Sequence, residues 1–239
     1  MPDSLIATLA SIAALLVLGS ALGLLKRDQF SPVWLGTAAA LVLINDFALT
    51  SGYGILPNLF QGSSWNWQGK VLAVGSSLAI ASLPAFGWAR CGLTLKQNPE
   101  GRRITYSVAA LLCAVFAALA LFSDNEPFVR ETAAFQLTMP GFDEEPYYRG
   151  TLLLALNEVL RVRSKLAGAT IGWAALLTAM MFGFGHALSF GKGAFAFDWM
   201  TMLVTGGPAL LLVWFRERTG SLVLPIFLHN FANSIGLFI

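Results

Sequence analysis

From Ser4 to Leu25 the chain reads SLIATLASIAALLVLGSALGLL, a run without one charged side chain. About 20 apolar residues coiled as a helix match the hydrocarbon thickness of a bilayer, and a helix satisfies its own backbone polar groups there. The same texture recurs in seven further segments, at about 32–50, 70–89, 104–122, 142–160, 169–188, 199–215 and 222–239. Each is apolar enough, and near enough to that length, to cross or deeply enter a membrane. The pattern predicts an all-α polytopic integral membrane protein of about eight transmembrane helices. With 56% hydrophobic and 12% charged residues and a mean hydropathy of +0.67, the chain is far from an ordinary soluble domain. Eight spans within 239 residues leave no room for a soluble unit, so residues 1–239 read as a single membrane domain. A net charge of +2 is too small to suggest nucleic acid. Cys91 and Cys113 fall on different elements without ligand spacing, which indicates neither a disulfide framework nor a thiol site.

Charge at the segment ends sets an orientation. Asp3 precedes the first run and Lys26-Arg27 follow it, the flank order of a retained reverse anchor rather than a cleaved signal. Most basic residues then fall in alternate loops: Lys26 and Arg27; Arg90, Lys96, Arg102 and Arg103; Arg161, Arg163 and Lys165; Arg216 and Arg218. The opposite loops hold Lys70, Arg130 and Lys192. The positive-inside tendency therefore puts both termini on the extracytoplasmic side, in a bacterial inner (cytoplasmic) membrane. Trp65 and Trp67 read as interfacial anchors, and Gly206-Gly207-Pro208 as a bend in the seventh helix. No internal repeat and no matched pair of broken helices suggests an inverted-repeat transporter.

Ionisable groups are costly within a bilayer and face a cavity or a partner. Here they are few: Glu144, Glu145 and Arg149 in the fifth segment, His186 in the sixth, and His229, with Asn230 and Asn233, in the eighth. Asp143 reads as an N-cap and Pro146 as a first-turn proline, which would put the charges at a helix start. Glu145 and Arg149 are four apart and share a face, so they read as a structural ion pair, while Glu144 points elsewhere and is left free. Phe182 and His186 share a face, as do His229 and Asn233. Gly183 and Gly185 thin the sixth helix for close approach. Each histidine taken alone could equally be an interhelical hydrogen-bonding group or a catalytic one. Asn230 reads as structural or lining, Asp46 as an interfacial polar cap, and Glu158 as solvated.

Together, Glu144-Glu145-x-x-x-Arg149, Phe182-x-x-x-His186 and His229-x-x-x-Asn233, in that order on successive apolar segments, resemble the CPBP family. That family comprises the type II CAAX prenyl endoproteases and the bacteriocin-processing and immunity (Abi) proteins. The resemblance covers residues 140–239, including RTGSLVLPIFLHNFANS; residues 1–130 supply helices without an alignable motif. It implies an intramembrane endopeptidase with its site between the fifth, sixth and eighth helices, acting on a peptide or membrane-protein substrate. Glu144 would be the general base, His186 would position the water, and His229 with Asn233 would stabilise the oxyanion. Glu145, Arg149 and Phe182 would support them. Two readings stay beside this one. No cofactor is required by the metal-free reading, but Glu144, His186 and His229 could hold zinc, although H-E-x-x-H is absent. The same polar network could also belong to a non-catalytic immunity or scaffold protein. The prenyl proteases serve cytosolic proteins, whereas the charge pattern puts Glu144 and His186 nearer the outer surface, so extracytoplasmic or transmembrane substrates are expected.

Overall fold

A computed structural model describes residues 2–52, 57, 59–123 and 127–239. Ten α-helices are present among these residues: α1 (Asp3–Leu25), α2 (Pro32–Thr50), α3 (Trp67–Ser82), α4 (Arg102–Leu121), α5 (Arg130–Gln136), α6 (Met139–Glu144), α7 (Leu153–Val159), α8 (Trp173–Ala187), α9 (Trp199–Thr219) and α10 (Val223–Ser234). Helices α1, α2, α4 and α9 are long and apolar enough to cross a membrane, and α8 and α10 are shorter apolar helices. The protein is an integral membrane protein built mostly of helix.

Local sequence explains several ends. Ser31 Oγ accepts from the Trp34 amide ahead of Pro32, Asn66 Oδ1 accepts from the Gly69 amide, and Asp198 Oδ1 accepts from the amides of Met200 and Thr201. Each satisfies an N-terminal donor that has no partner within its helix. The third segment stops at Ser82, and residues 83–101 form turns instead of the helix expected to residue 89.

Two antiparallel hairpins modify the all-helical expectation. β1 (Arg163–Leu166) pairs with β2 (Ala169–Gly172), and β3 (Leu188–Gly191) with β4 (Ala194–Phe197). Their two-residue turns, Ala167-Gly168 and Lys192-Gly193, hold both residues at positive φ, the geometry that matches the twist of paired strands. The sixth segment therefore opens as a strand, and its helix begins only at Trp173.

The largest correction concerns the fifth segment. Met139 to Val159 is one continuous helical rod, α6 passing into α7 through a π-helical stretch, Glu145–Leu152. Pro146 is thus interior, and Asp143 is no N-cap. Interior proline lacks an amide proton and crowds the carbonyl four residues back; widening the helix to π spacing accommodates both. The charges consequently sit mid-rod, turned into the protein.

One core cluster joins the N-terminal helices to this rod, including Leu15, Leu35, Ala38, Leu152, Leu156, Val159, Leu177 and Val213. At the end rich in basic residues the loops are tied together. Ser31 donates to the Val159 carbonyl, Leu222 to Gly92 and Asn98 to Thr219. Arg216 and Arg218, expected in a loop, lie buried in the last turns of α9 and donate to the carbonyls of Arg90 and Ala167. Glu158 is paired with Arg90 and Arg161 rather than solvated. Cys91 is buried here, and desolvation pushes its thiol up to about 11, so it stays protonated and unreactive near neutral pH.

Helix α9 runs unbroken through Pro208, and Gly206 meets Gly183 of α8: a Cβ on Gly183 would lie 3.5 Å from the Gly206 Cα and overlap the Met202 sulfur. Gly183→Val should therefore force the helices apart and cost about 1–3 kcal/mol, read as a lowered unfolding midpoint in detergent.

Candidate active site

Three helices converge on one cavity of about 560 Å³, lined by Glu144 and Arg149 of the rod, Phe182 and His186 of α8, and His229 and Asn233 of α10. All six were singled out by their spacing in the sequence. Glu145, the seventh, stands behind the wall.

The rod presents its two glutamates to different partners, as adjacent helical positions must. Glu145 and Arg149 are fully buried, with Arg149 Nη1 3.0 Å from Glu145 Oε1. The same oxygen lies 2.7 Å from His229 Nδ1, so Glu145 holds the arginine and the histidine together. An ionised carboxylate only accepts, which makes Nδ1 the donor and turns Nε2 toward the cavity. The Arg149 guanidinium also lies 4.4 Å from the Phe182 ring centroid, an aromatic face that favours a desolvated cation. Phe182 thereby spaces Arg149 from both histidines, its ring centroid 4.7 Å from His186 and 5.9 Å from His229.

Glu144 is not free. Lys70 of α3 places its Nζ 2.6 Å from Glu144 Oε1 and 2.8 Å from Asp143 Oδ2. Lys70 went unnoticed in the sequence because it sits at a segment end, where a lysine reads as an outer-loop charge. A charge count could have found it: Asp143, Glu144 and Glu145 face inward with only Arg149 beside them, and buried carboxylates need compensating cations. The other oxygen, Glu144 Oε2, is buried without a hydrogen-bond partner and lies 3.7 Å from His229 Nε2. That gap is too long for a direct hydrogen bond and suits one bridging water.

His186 has its Nδ1 2.9 Å from the Phe182 carbonyl one turn back. A carbonyl cannot donate, so Nδ1 carries the proton and the neutral ring keeps its Nε2 lone pair as an acceptor. Asn233 makes no hydrogen bond to the described residues and lines the cavity with its amide available. Asn230 is structural: its Oδ1 accepts from the Gly141 amide at 2.6 Å, capping the first turn of α6 from across the site.

Residues at the start of α3 and just ahead of it form part of the cavity wall. Trp65 stacks on Phe135 at 4.7 Å and donates to Thr132, and Trp67 donates to Glu131, tying this segment to the short helix α5, which the sequence reading missed. Trp65 is thus a wall of the cavity besides being an aromatic at a segment end.

Among the described residues no three His, Cys, Asp or Glu side chains are grouped to ligate an ion. One Glu144 oxygen is already held by the Lys70 ammonium, which puts a positive charge beside that carboxylate.

Residues 132–235 match the family model of the Rce1-like proteins, described as type II CAAX prenyl endopeptidase Rce1-like. No curated protein and no solved structure matches the chain. The three motifs fall within the matched segment, and the similarity of residues 132–235 to the Rce1-like type II CAAX prenyl endopeptidases supports membership of the CPBP family.

Proposed function

We propose that the protein is a glutamate-dependent intramembrane endopeptidase that cleaves a peptide bond in a peptide or membrane-protein substrate. The observation that carries this reading is Glu144: one oxygen fixed by Lys70, the other buried, unpartnered and facing His229 Nε2. Such a carboxylate is oriented to take a proton from a water held in that gap. His186 Nε2 accepts a hydrogen bond from the water's second O–H, which stays on that oxygen, and so steers its lone pair toward the scissile carbonyl. As the water oxygen bonds to the carbonyl carbon, its proton passes to Glu144 Oε2. The developing oxyanion is met by the Asn233 amide and by His229, whose ring, lying between the Glu145 and Glu144 carboxylates, donates from Nε2 as well as from Nδ1 in its imidazolium form. Collapse breaks the C–N bond, and the leaving nitrogen takes the proton from Glu144.

The reading needs no metal, so chelation with EDTA should leave peptide cleavage by the purified protein unchanged. A chelator-sensitive rate restored by zinc would replace this mechanism with a metal one.

The chain is read as one membrane domain of eight crossings, both termini extracytoplasmic in a bacterial inner membrane, with the cavity nearer the outer face. Support comes from the basic loops collecting at the opposite end. In a background lacking Cys91 and Cys113, an impermeant thiol reagent should label Lys192→Cys in whole cells and spare Gly168→Cys. The reverse pattern would invert the orientation.

Proteolysis itself is tested by comparing membrane and secreted peptides from cells with and without the protein. New termini that depend on it identify substrates; their absence favours the scaffold reading.

A further inference from the structure

A second cavity, of about 380 Å³, lies on the other side of the rod, between the first turns of α1, the end of α2 and the end of α8. It is lined by Thr8, Asn45, Asp46, Tyr147, Tyr148 and Ser189, and has no place in the chemistry above. Its composition is one-sided. Among the described residues Asp46 supplies the only charge in the lining, one oxygen accepting from the Thr8 hydroxyl at 2.8 Å, and none that lines the cavity is basic. Beside it, Asn45 is only 8% exposed and its side-chain Oδ1 has no hydrogen-bond partner among the described residues. A carboxylate and an orphaned amide oxygen, with two tyrosines in the same wall, make an acceptor-rich pocket. Such a lining is complementary to a hydrogen-bond donor with positive charge.

Tyr148 connects the pocket to the active site. Its ring packs edge-on against Phe182 at 5.0 Å, and its hydroxyl fits against Gly185, where a Cβ would lie 3.0 Å away. Gly185 lines this cavity and the adjacent His186 lines the catalytic one, with the packed rings of Tyr148 and Phe182 between the two.

We propose that the Asn45–Asp46 cavity is a subsite for an organic cation, the primary ammonium or guanidinium group of a peptide bound at the neighbouring catalytic cavity. The cation would meet Asp46 and Asn45 Oδ1 directly, its alkyl stem lying against the tyrosine rings. The peptide part of this inference rests on the endopeptidase reading; the cation site does not.

The test therefore separates them. Butylammonium, with butanol as the neutral control, is added to the purified Glu144→Gln protein, in which no cleavage can occur. Saturating butylammonium should raise the unfolding midpoint by about 2–4 °C, and butanol should not. Asp46→Asn should abolish the shift, and so should Ser189→Lys, which tethers an ammonium in the cavity while removing no acidic group. No shift in the parent, or an equal shift in both variants, would overturn the cation site whatever the protein's activity. The source of the cation follows from cleavage products. Lysine or arginine recurring at one fixed distance from the cut, and lost in Asp46→Asn, assigns a substrate side chain. Inhibition by products with a free N-terminus, relieved by acetylation, assigns the newly formed ammonium instead.

Discussion

Glu144→Gln is expected to lower peptide cleavage by about 10²–10⁴-fold while the protein keeps its unfolding midpoint. The amide is nearly isosteric and its oxygen can still accept from Lys70, which also remains paired with Asp143 at 2.8 Å. What is lost is the basic oxygen opposite His229 Nε2. Glu144→Asp keeps the charge but withdraws it by one methylene, so it should also be severely impaired. Quantified cleavage of a substrate peptide by reconstituted protein gives the rates, and thermal unfolding checks the fold. Full activity in a folded Glu144→Gln protein would remove the glutamate mechanism and return these residues to a structural network. Lys70→Met would be less selective, because it leaves both Asp143 and Glu144 without their cation, and loss of activity there would come with loss of stability.

The second large effect concerns stability. Arg149→Met should destabilise the protein by about 3–5 kcal/mol, because Glu145 would remain fully buried with only His229 beside it. The paired change Glu145→Leu with Arg149→Met removes both charges together and should recover most of that loss, since a buried ion pair is often no better than apolar packing of similar volume. Activity should not return with it. His229 Nδ1 would lose the carboxylate 2.7 Å away that holds the ring in its orientation and favours its carrying a second proton. Unfolding in a denaturing detergent series, beside the cleavage assay, separates the two effects. If the double variant recovered activity with stability, Glu145 would be only a partner for Arg149 and not the orienting group of His229.

Much of this architecture was legible in the chain. Long uncharged runs such as Ser4–Leu25 can only be satisfied as helices in a bilayer, so hydropathy alone carries α1, α2, α4 and α9. Helical spacing was enough to pair Glu145 with Arg149 and to point Glu144 away from them, and the ordered motifs nominated six of the residues that line the cavity, Glu144, Arg149, Phe182, His186, His229 and Asn233, but not Lys70. These are local properties: a period of 3.6 residues turns sequence distance into a shared face without knowledge of the rest of the fold.

Contacts between distant segments were decided elsewhere. Lys70 lies 74 positions from Glu144, and nothing in its own neighbourhood distinguishes a buried counter-ion from a loop charge. Pro146 reads as a helix start because proline normally ends or begins a helix; only the packing around the rod selects a π-widened continuation, which moves three carboxylates from a terminus into the interior. The hairpins at 163–172 and 188–197 are too short to show a strand period, and their turns rest on backbone geometry that Ala167 and Lys192 do not advertise. Local periodicity thus determined which faces are polar. The tertiary structure alone decided which polar faces meet, because buried charge is tolerated only where another segment brings its partner.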